Sequence, residues 1–119
     1  MPADFARLAE EDFCYLTTIG RVTGRPHEIE IWFAIKGQTL YMLSGGRDRS
    51  DWVKNLRRTP EVTVHIAGER FEGQARVVEA PEEDALARQL LVEKYERSFG
   101  SLANWRRTAL PVAVDLAVS

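Results

Sequence analysis

The sequence predicts an α+β fold that is mainly β: a small antiparallel barrel of six strands with flanking helices. Three observations predict it. Six short runs alternate apolar with polar residues or are rich in aromatic and β-branched ones, which suit a pleated, half-buried surface. Most consecutive runs are joined by short turns, which cannot make the crossover that parallel strands need. Six strands also exceed what one flat, half-exposed sheet requires, so the sheet is expected to curl on itself.

Each element follows from local chemistry. Residues 3–12 place Phe5, Leu8 and Ala9 at helical spacing. FCYLTTI (13–19) reads as the first strand, and Gly20 to Pro26 as a turn. Residues 27–36 alternate, with Ile29, Ile31, Phe33 and Ile35 on one side and Glu28 and Glu30 on the other, predicting one continuous strand. Lys36-Gly37-Gln38 turns the chain into TLYMLS (39–44). Ser50 or Asp51 can cap a helix over 51–58 that Pro60 ends. Val62, Val64 and Ile66 alternate with Thr63 and His65 in a fourth strand, and a fifth covers 70–79. Pro81 followed by Glu82, Glu83 and Asp84 starts a helix to about Phe99, with acids suited to its N-terminal dipole. A Gly/Ser/Asn/Trp segment and a last strand, 111–118, complete the chain.

At 119 residues this is a single domain, 1–119. No apolar run approaches a membrane span. The N-terminus has no basic region followed by an apolar one, so no signal peptide is expected. One cysteine offers neither an internal disulfide nor a metal framework, and a cytoplasmic location is the simplest expectation. Net charge is -2. Its aromatics do not interleave with basic residues, which disfavours nucleic acid as a partner.

The charge distribution says more. From Gly20 to Arg58 there are eight basic residues against four acidic ones, a locally positive third that suits a small anionic ligand. Two glycine-bearing connections carry it. In TTIGRVTGRP, Gly20 and Gly24 are expected to leave free N–H groups around a sharp connection. Arg21 and Arg25 add planar forks for phosphate or carboxylate, and Thr23 adds a hydroxyl. In SGGRDRSDW, Ser44, Gly45 and Gly46 end a strand, Arg47 and Arg49 add charge, and a helix N-terminus follows. Two such connections can grip one extended anionic ligand. Neither is a P-loop or a dinucleotide fingerprint.

The runs LTTIGRVTGRPHEIEIWF, LYMLSGG and SDWVKNLRRTPEVTVHI resemble the deazaflavin-dependent nitroreductase family. That family belongs to the wider split-barrel group of flavin-binding and pyridoxamine-phosphate-oxidase-like proteins. The resemblance spans about residues 13–79. It implies a six-stranded split barrel, often paired as a homodimer, and a reductase using the deazaflavin coenzyme F-420. Such an enzyme passes hydride to a quinone, nitro compound or activated double bond. It further implies that Arg21, Thr23, Gly24 and Arg25 hold the phosphate and tail, with His27 a candidate beside them. The backbone from Glu28 through Ile29 to Ile31 would lie along the ring. Ser44, Gly45 and Gly46 would close on the ring, and Trp52 and Asn55 would follow them. The chain carries Val22 where the family usually has lysine and Glu30 where it usually has proline, and its second loop lacks a lysine. FMN is the alternative cofactor, and a non-catalytic flavin or tetrapyrrole carrier the alternative role.

No acid–base dyad is expected, because hydride transfer is the cofactor's own chemistry. An aromatic acceptor wall is expected from Trp32, Tyr95, Phe99 and Trp105, with Ser98–Asn104 as a lid. Structural readings cover the remaining conspicuous residues. Cys14 reads as a buried strand residue, with no motif to activate it. His65 reads as exposed on the polar phase of its strand. Trp52 shares a helix face with Leu56, which packing alone explains. The acids at 82–84 read as a helix start only, and Arg57-Arg58 and the arginines after Trp105 as complements to helix C-termini.

Overall fold

The computed structural model of the chain describes residues 5–117. One antiparallel sheet contains β1 (Cys14–Ile19), β2 (Pro26–Ile31), β3 (Ala34–Lys36), β4 (Thr39–Ser44), β5 (Glu61–Ile66), β6 (Glu69–Val77) and β7 (Leu110–Leu116). Their order across the sheet is β2-β1-β5-β6-β7-β4-β3. The two edge strands, β2 and β3, follow each other in the chain with only Trp32 and Phe33 between them. The sheet therefore rolls until its edges stand side by side. Among the described residues no backbone ladder joins those edges. This is a split barrel.

The single strand expected over 27–36 is thus two, and the described residues form seven strands rather than six. The cause is long-range. The Phe33 N–H donates to the Tyr95 hydroxyl at 3.0 Å, and the Phe33 carbonyl accepts from Lys94 Nζ at 2.8 Å. Backbone groups held by side chains cannot also extend a ladder. Lys94 also stands over the Phe33 ring, 3.8 Å from its centroid. The Tyr95 oxygen lies 2.8 Å from the Asp12 carbonyl and 3.0 Å from that of Phe33, and donates to one of them.

Among the described residues four α-helices accompany the sheet. The first, α1 (Phe5–Leu8), is shorter than the expected 3–12; positions 3 and 4, like 118 at the other end, lie outside the described residues. Next, α2 (Asp51–Arg58) buries Val53, Asn55 and Leu56, and its apolar side joins the barrel interior formed by Leu16, Leu40, Met42, Val64 and Val114. The long α3 (Pro81–Phe99) packs Ala87, Leu91 and Tyr95 against Tyr41, Leu43 and Ala113. Strands β4 and β7 are therefore covered on both faces, which is why TLYMLS and PVAVDL are nearly continuous apolar runs. The end of α3 and the start of the last helix, α4 (Ala103–Thr108), take four of the seven residues of the expected lid, leaving Gly100 to Leu102 irregular.

The acids at the start of α3 do more than complement a dipole. Glu83 accepts two bonds from Arg76, at 2.6 and 2.8 Å, and one from the Tyr41 hydroxyl at 2.7 Å. Arg76 chiefly, with Tyr41, holds the Glu83 carboxyl below its usual range. Arg76 also bonds Asp115 at 2.8 Å, so one guanidinium pins α3 to β6 and β7. His65 is half-buried rather than exposed, and its Nδ1 is buried without a partner among the described residues.

Burial sets the alkaline behaviour. It pushes the Cys14 thiol from 9.0 up to about 12, the Tyr41 and Tyr95 phenols from 10.0 up to about 12, and Lys94 from 10.5 down to about 8. Lys94 binds more protons unfolded than folded between pH 8 and 10.5, so it makes stability rise there; Cys14, bound more tightly when folded, makes stability fall above pH 9. Stability is expected to rise from pH 8 to 9, stay level to pH 10 and fall beyond as the tyrosines join. In Cys14→Ala the rise should continue through the level stretch. Urea midpoints at successive pH values read both profiles, and identical slopes in the two proteins contradict this account.

Candidate functional site

The first glycine-bearing connection is a tight, self-bonded turn. The Gly20 N–H donates to the Arg25 carbonyl at 2.8 Å and the Gly24 N–H to the Gly20 carbonyl at 2.9 Å. The expectation that these two N–H groups are free is therefore wrong. The Arg25 N–H goes to Thr23 Oγ1 and that of Arg21 to Asn55 Oδ1, each at 3.2 Å. The N–H groups left without a partner among the described residues are those of Val22 and Thr23. Gly20 also leaves room for two neighbouring side chains. A Cβ there would stand 2.7 Å from His27 Nε2 and 2.9 Å from Thr23 Oγ1, so both side chains close over bare backbone. Gly24 has φ 72°, a conformation glycine adopts freely.

Arg21 does not present its whole fork to solvent. Its guanidinium donates to Asn55 Oδ1 at 2.9 Å and Asp51 Oδ1 at 3.1 Å. Asn55, 4% exposed, also donates from Nδ2 to the buried Thr18 hydroxyl at 3.2 Å. One amide thus binds the end of β1, the turn and α2 together.

The second connection closes on itself and leads straight into α2. Ser44 Oγ, buried, donates to the Arg47 carbonyl or to Ser50 Oγ, each 2.8 Å away. Ser50 precedes α2 without a side-chain cap bond, its hydroxyl being engaged by Ser44. A Cβ on Gly46 would stand 2.5 Å from that hydroxyl. Arg47 adopts φ 55°, unusual for a side-chain-bearing residue, and its guanidinium reaches the Thr108 carbonyl at the end of α4. It is thus directed at α4 and away from the first turn. Gly45 and Arg49 are exposed. The two connections abut through α2, since Arg21 of the first bonds Asp51, the residue after Ser50 of the second.

Two cavities follow β2 in succession. A groove of about 460 Å³ runs between the first turn and α2, lined by Arg21, Thr23, His27, Ile29, Trp52 and Asn55 together with Gly20, Val22, Glu28 and Asp51. One arginine there faces two carboxylates. A second cavity of about 500 Å³ begins at the next residues of the strand, Glu30, Ile31 and Trp32, and is walled by Phe13, Leu43, Leu102 and Trp105. Trp32 is the centre of an aromatic cluster. Tyr95 stacks flat on it at 4.3 Å and 4°, Phe99 leans on it at 4.7 Å, and Trp105 meets it edge-on at 5.6 Å. Tyr95 is buried as backing rather than wall.

The structure thus gathers six of the expected cofactor residues around the groove, and Ile31, Trp32 and Trp105 around the cavity. Gly24, Arg25, Ser44, Gly45, Gly46, Arg47, Arg49, Tyr95 and Phe99 line neither. Missed by sequence reasoning were Phe13, Leu43 and Leu102 in the wall and Asp51 in the groove. The exposed Phe13, 44% accessible beside a buried Cys14, was a signal in the alternation itself.

A rolled sheet with unjoined edges, with a polar groove and an aromatic cavity beside one edge strand, defines a split-barrel protein. The F420H2-dependent quinone reductase family model matches residues 5–117, and the chain belongs to that family. Its fold is shared by a candidate 5-nitroimidazole antibiotic resistance protein from Bacteroides thetaiotaomicron, at 15% identity and TM-score 0.73 over 98% of this chain and 82% of that one. An F420H2-dependent reductase shares it at 21% identity and TM-score 0.70, over 87% and 93%. So does the heme storage protein of Vibrio cholerae, at 17% identity and TM-score 0.69, over 96% and 88%. A search of curated proteins found no match. Among the described residues no helix is long and apolar enough to cross a membrane, and no group of three or more His, Cys, Asp or Glu could hold a metal ion.

Proposed function

We propose that the chain is a deazaflavin reductase that binds coenzyme F-420 along β2 and reduces a flat acceptor in the aromatic cavity. The observation that carries this reading is the succession of groove and cavity on consecutive residues of one edge strand. The donors fit the phosphate end. Thr23, His27 and the unpartnered N–H groups of Val22 and Thr23 converge at the turn, and Arg21 contributes what Asp51 leaves of its charge. Arg25 and Arg49, both exposed, would receive a longer anionic tail outside the groove, which already holds Glu28 and Asp51. Gly24 keeps the turn in register, and Ser44, Gly45, Gly46 and Arg47 shape the entry to α2.

When bound, the coenzyme supplies the hydride. The chain's part is to orient and to exclude water. Ile29 and Ile31 offer the ring an apolar strand, while Trp32 and Trp105, with Tyr95 and Phe99 behind them, hold the acceptor flat. A neutral quinone, nitro compound or activated double bond would then take its proton from water. The cavity beside the strand favours an enzyme over a carrier, which would have no use for open space there. The family match lends the FMN alternative no support.

The test is titration of the purified chain with coenzyme F-420, reading fluorescence quenching, then mixing with the reduced coenzyme and menadione. Saturable quenching and oxidation of the reduced coenzyme are expected. Binding without oxidation would assign the carrier role; a yellow protein that ignores the deazaflavin would restore FMN. A homodimer, read by gel filtration, is part of the same proposal.

A further inference from the structure

Glu30 has no part in the scheme above, yet among the described residues it is the one ionisable side chain lining the aromatic cavity. Its side chain is held in place. The Tyr15 hydroxyl donates to Glu30 Oε1 at 3.0 Å, and the two residues are register partners across β1 and β2. That bond raises the Tyr15 phenol above its usual range, as a fixed carboxylate neighbour should. Glu30 makes no ion pair among the described residues. The arginines of α4 do not answer it: Arg106 and Arg107 lie outside the lining, and Arg107 turns to Asn104.

We infer that Glu30 is a specificity-determining residue, a charge filter that admits neutral flat acceptors and turns away those bearing an anionic group. The inference rests on the acceptor site proposed above. A ring that fills a cavity of about 500 Å³ has this carboxylate at its edge. Glu30 is exposed, so salt screens its field, and the walls of tryptophan, leucine and phenylalanine add no charge of their own. A sulfonate or carboxylate entering there would meet no cationic side chain in the lining to offset its charge, and the Tyr15 hydroxyl is already engaged.

The experiment compares binding of menadione and a naphthoquinone sulfonate to the whole chain without coenzyme, read by quenching of tryptophan emission. The unmodified protein is expected to bind menadione about tenfold more tightly than the sulfonate, with the gap shrinking as salt is added. Glu30→Gln should narrow the gap to within about threefold by improving the sulfonate, not by weakening menadione. Glu30→Asp keeps the charge and should keep the gap. An equal gap in Glu30→Gln, no gap in the unmodified protein, or no quenching by either quinone overturns the filter. Turnover is read separately with reduced coenzyme F-420. Discrimination in binding without turnover refutes the reductase reading and leaves the filter standing, whereas turnover without discrimination refutes the filter alone.

Discussion

Tyr95→Phe is expected to lower the unfolding free energy by roughly 1–3 kcal/mol, the cost of stranding a buried polar group. Tyr95→Ala should lower it by roughly 3–5 kcal/mol, because a large aromatic cavity is added. Tyr95 is 3% exposed, and its hydroxyl accepts the Phe33 N–H while donating to the Asp12 or Phe33 carbonyl. Phenylalanine keeps the ring on which Trp32 stacks and removes only the tie. Its effect therefore isolates the fastening of the barrel's two edges from the packing of the aromatic cluster. Urea denaturation measures both variants. A Tyr95→Phe loss below about 0.5 kcal/mol would mean that the hydroxyl carries little of that fastening.

Asn55→Ala comes next in size, with an expected loss of about 3 kcal/mol, since Thr18 Oγ1 and the Arg21 N–H both lose a buried partner. The Arg21 guanidinium would keep only Asp51, an exposed partner worth little. The turn over the groove should then loosen, and affinity for coenzyme F-420 should fall by about tenfold or more. Asn55→Asp still offers oxygens to Arg21, and the Thr18 hydroxyl can reverse its bond and donate to the carboxylate. It should cost less than the alanine variant in both measurements. Equal losses in stability and coenzyme affinity for the two variants would show that these bonds are not what holds the turn.

What the sequence revealed, and what it hid, divides by range. Strand alternation and turn glycines are local, so β1, β4, β5, α2 and α3 fall within a few residues of expectation. The break between β2 and β3 is not local. It is made by Lys94 and Tyr95, some sixty residues away, while the apolar–acidic alternation of residues 28–31 argues for continuity. The candidate site follows the same division. Glycine and arginine drew attention to the first connection, but only the fold shows that Arg21 is half occupied by α2 and that His27 and Thr23 lie close over Gly20. Glu83 looked like part of a helix start because its partners, Arg76 and Tyr41, come from two strands that the sequence does not place beside it.

The unjoined edges carry a mechanical consequence. Inside the sheet, parting two strands means breaking a whole ladder of backbone bonds. Between β2 and β3 it means releasing the grip of Tyr95 and Lys94 on one residue, Phe33. The line without a backbone ladder thus passes beside the aromatic chamber, next to Trp32. A bulky guest could be let in there by breathing along this seam, with the rest of the wall still shut.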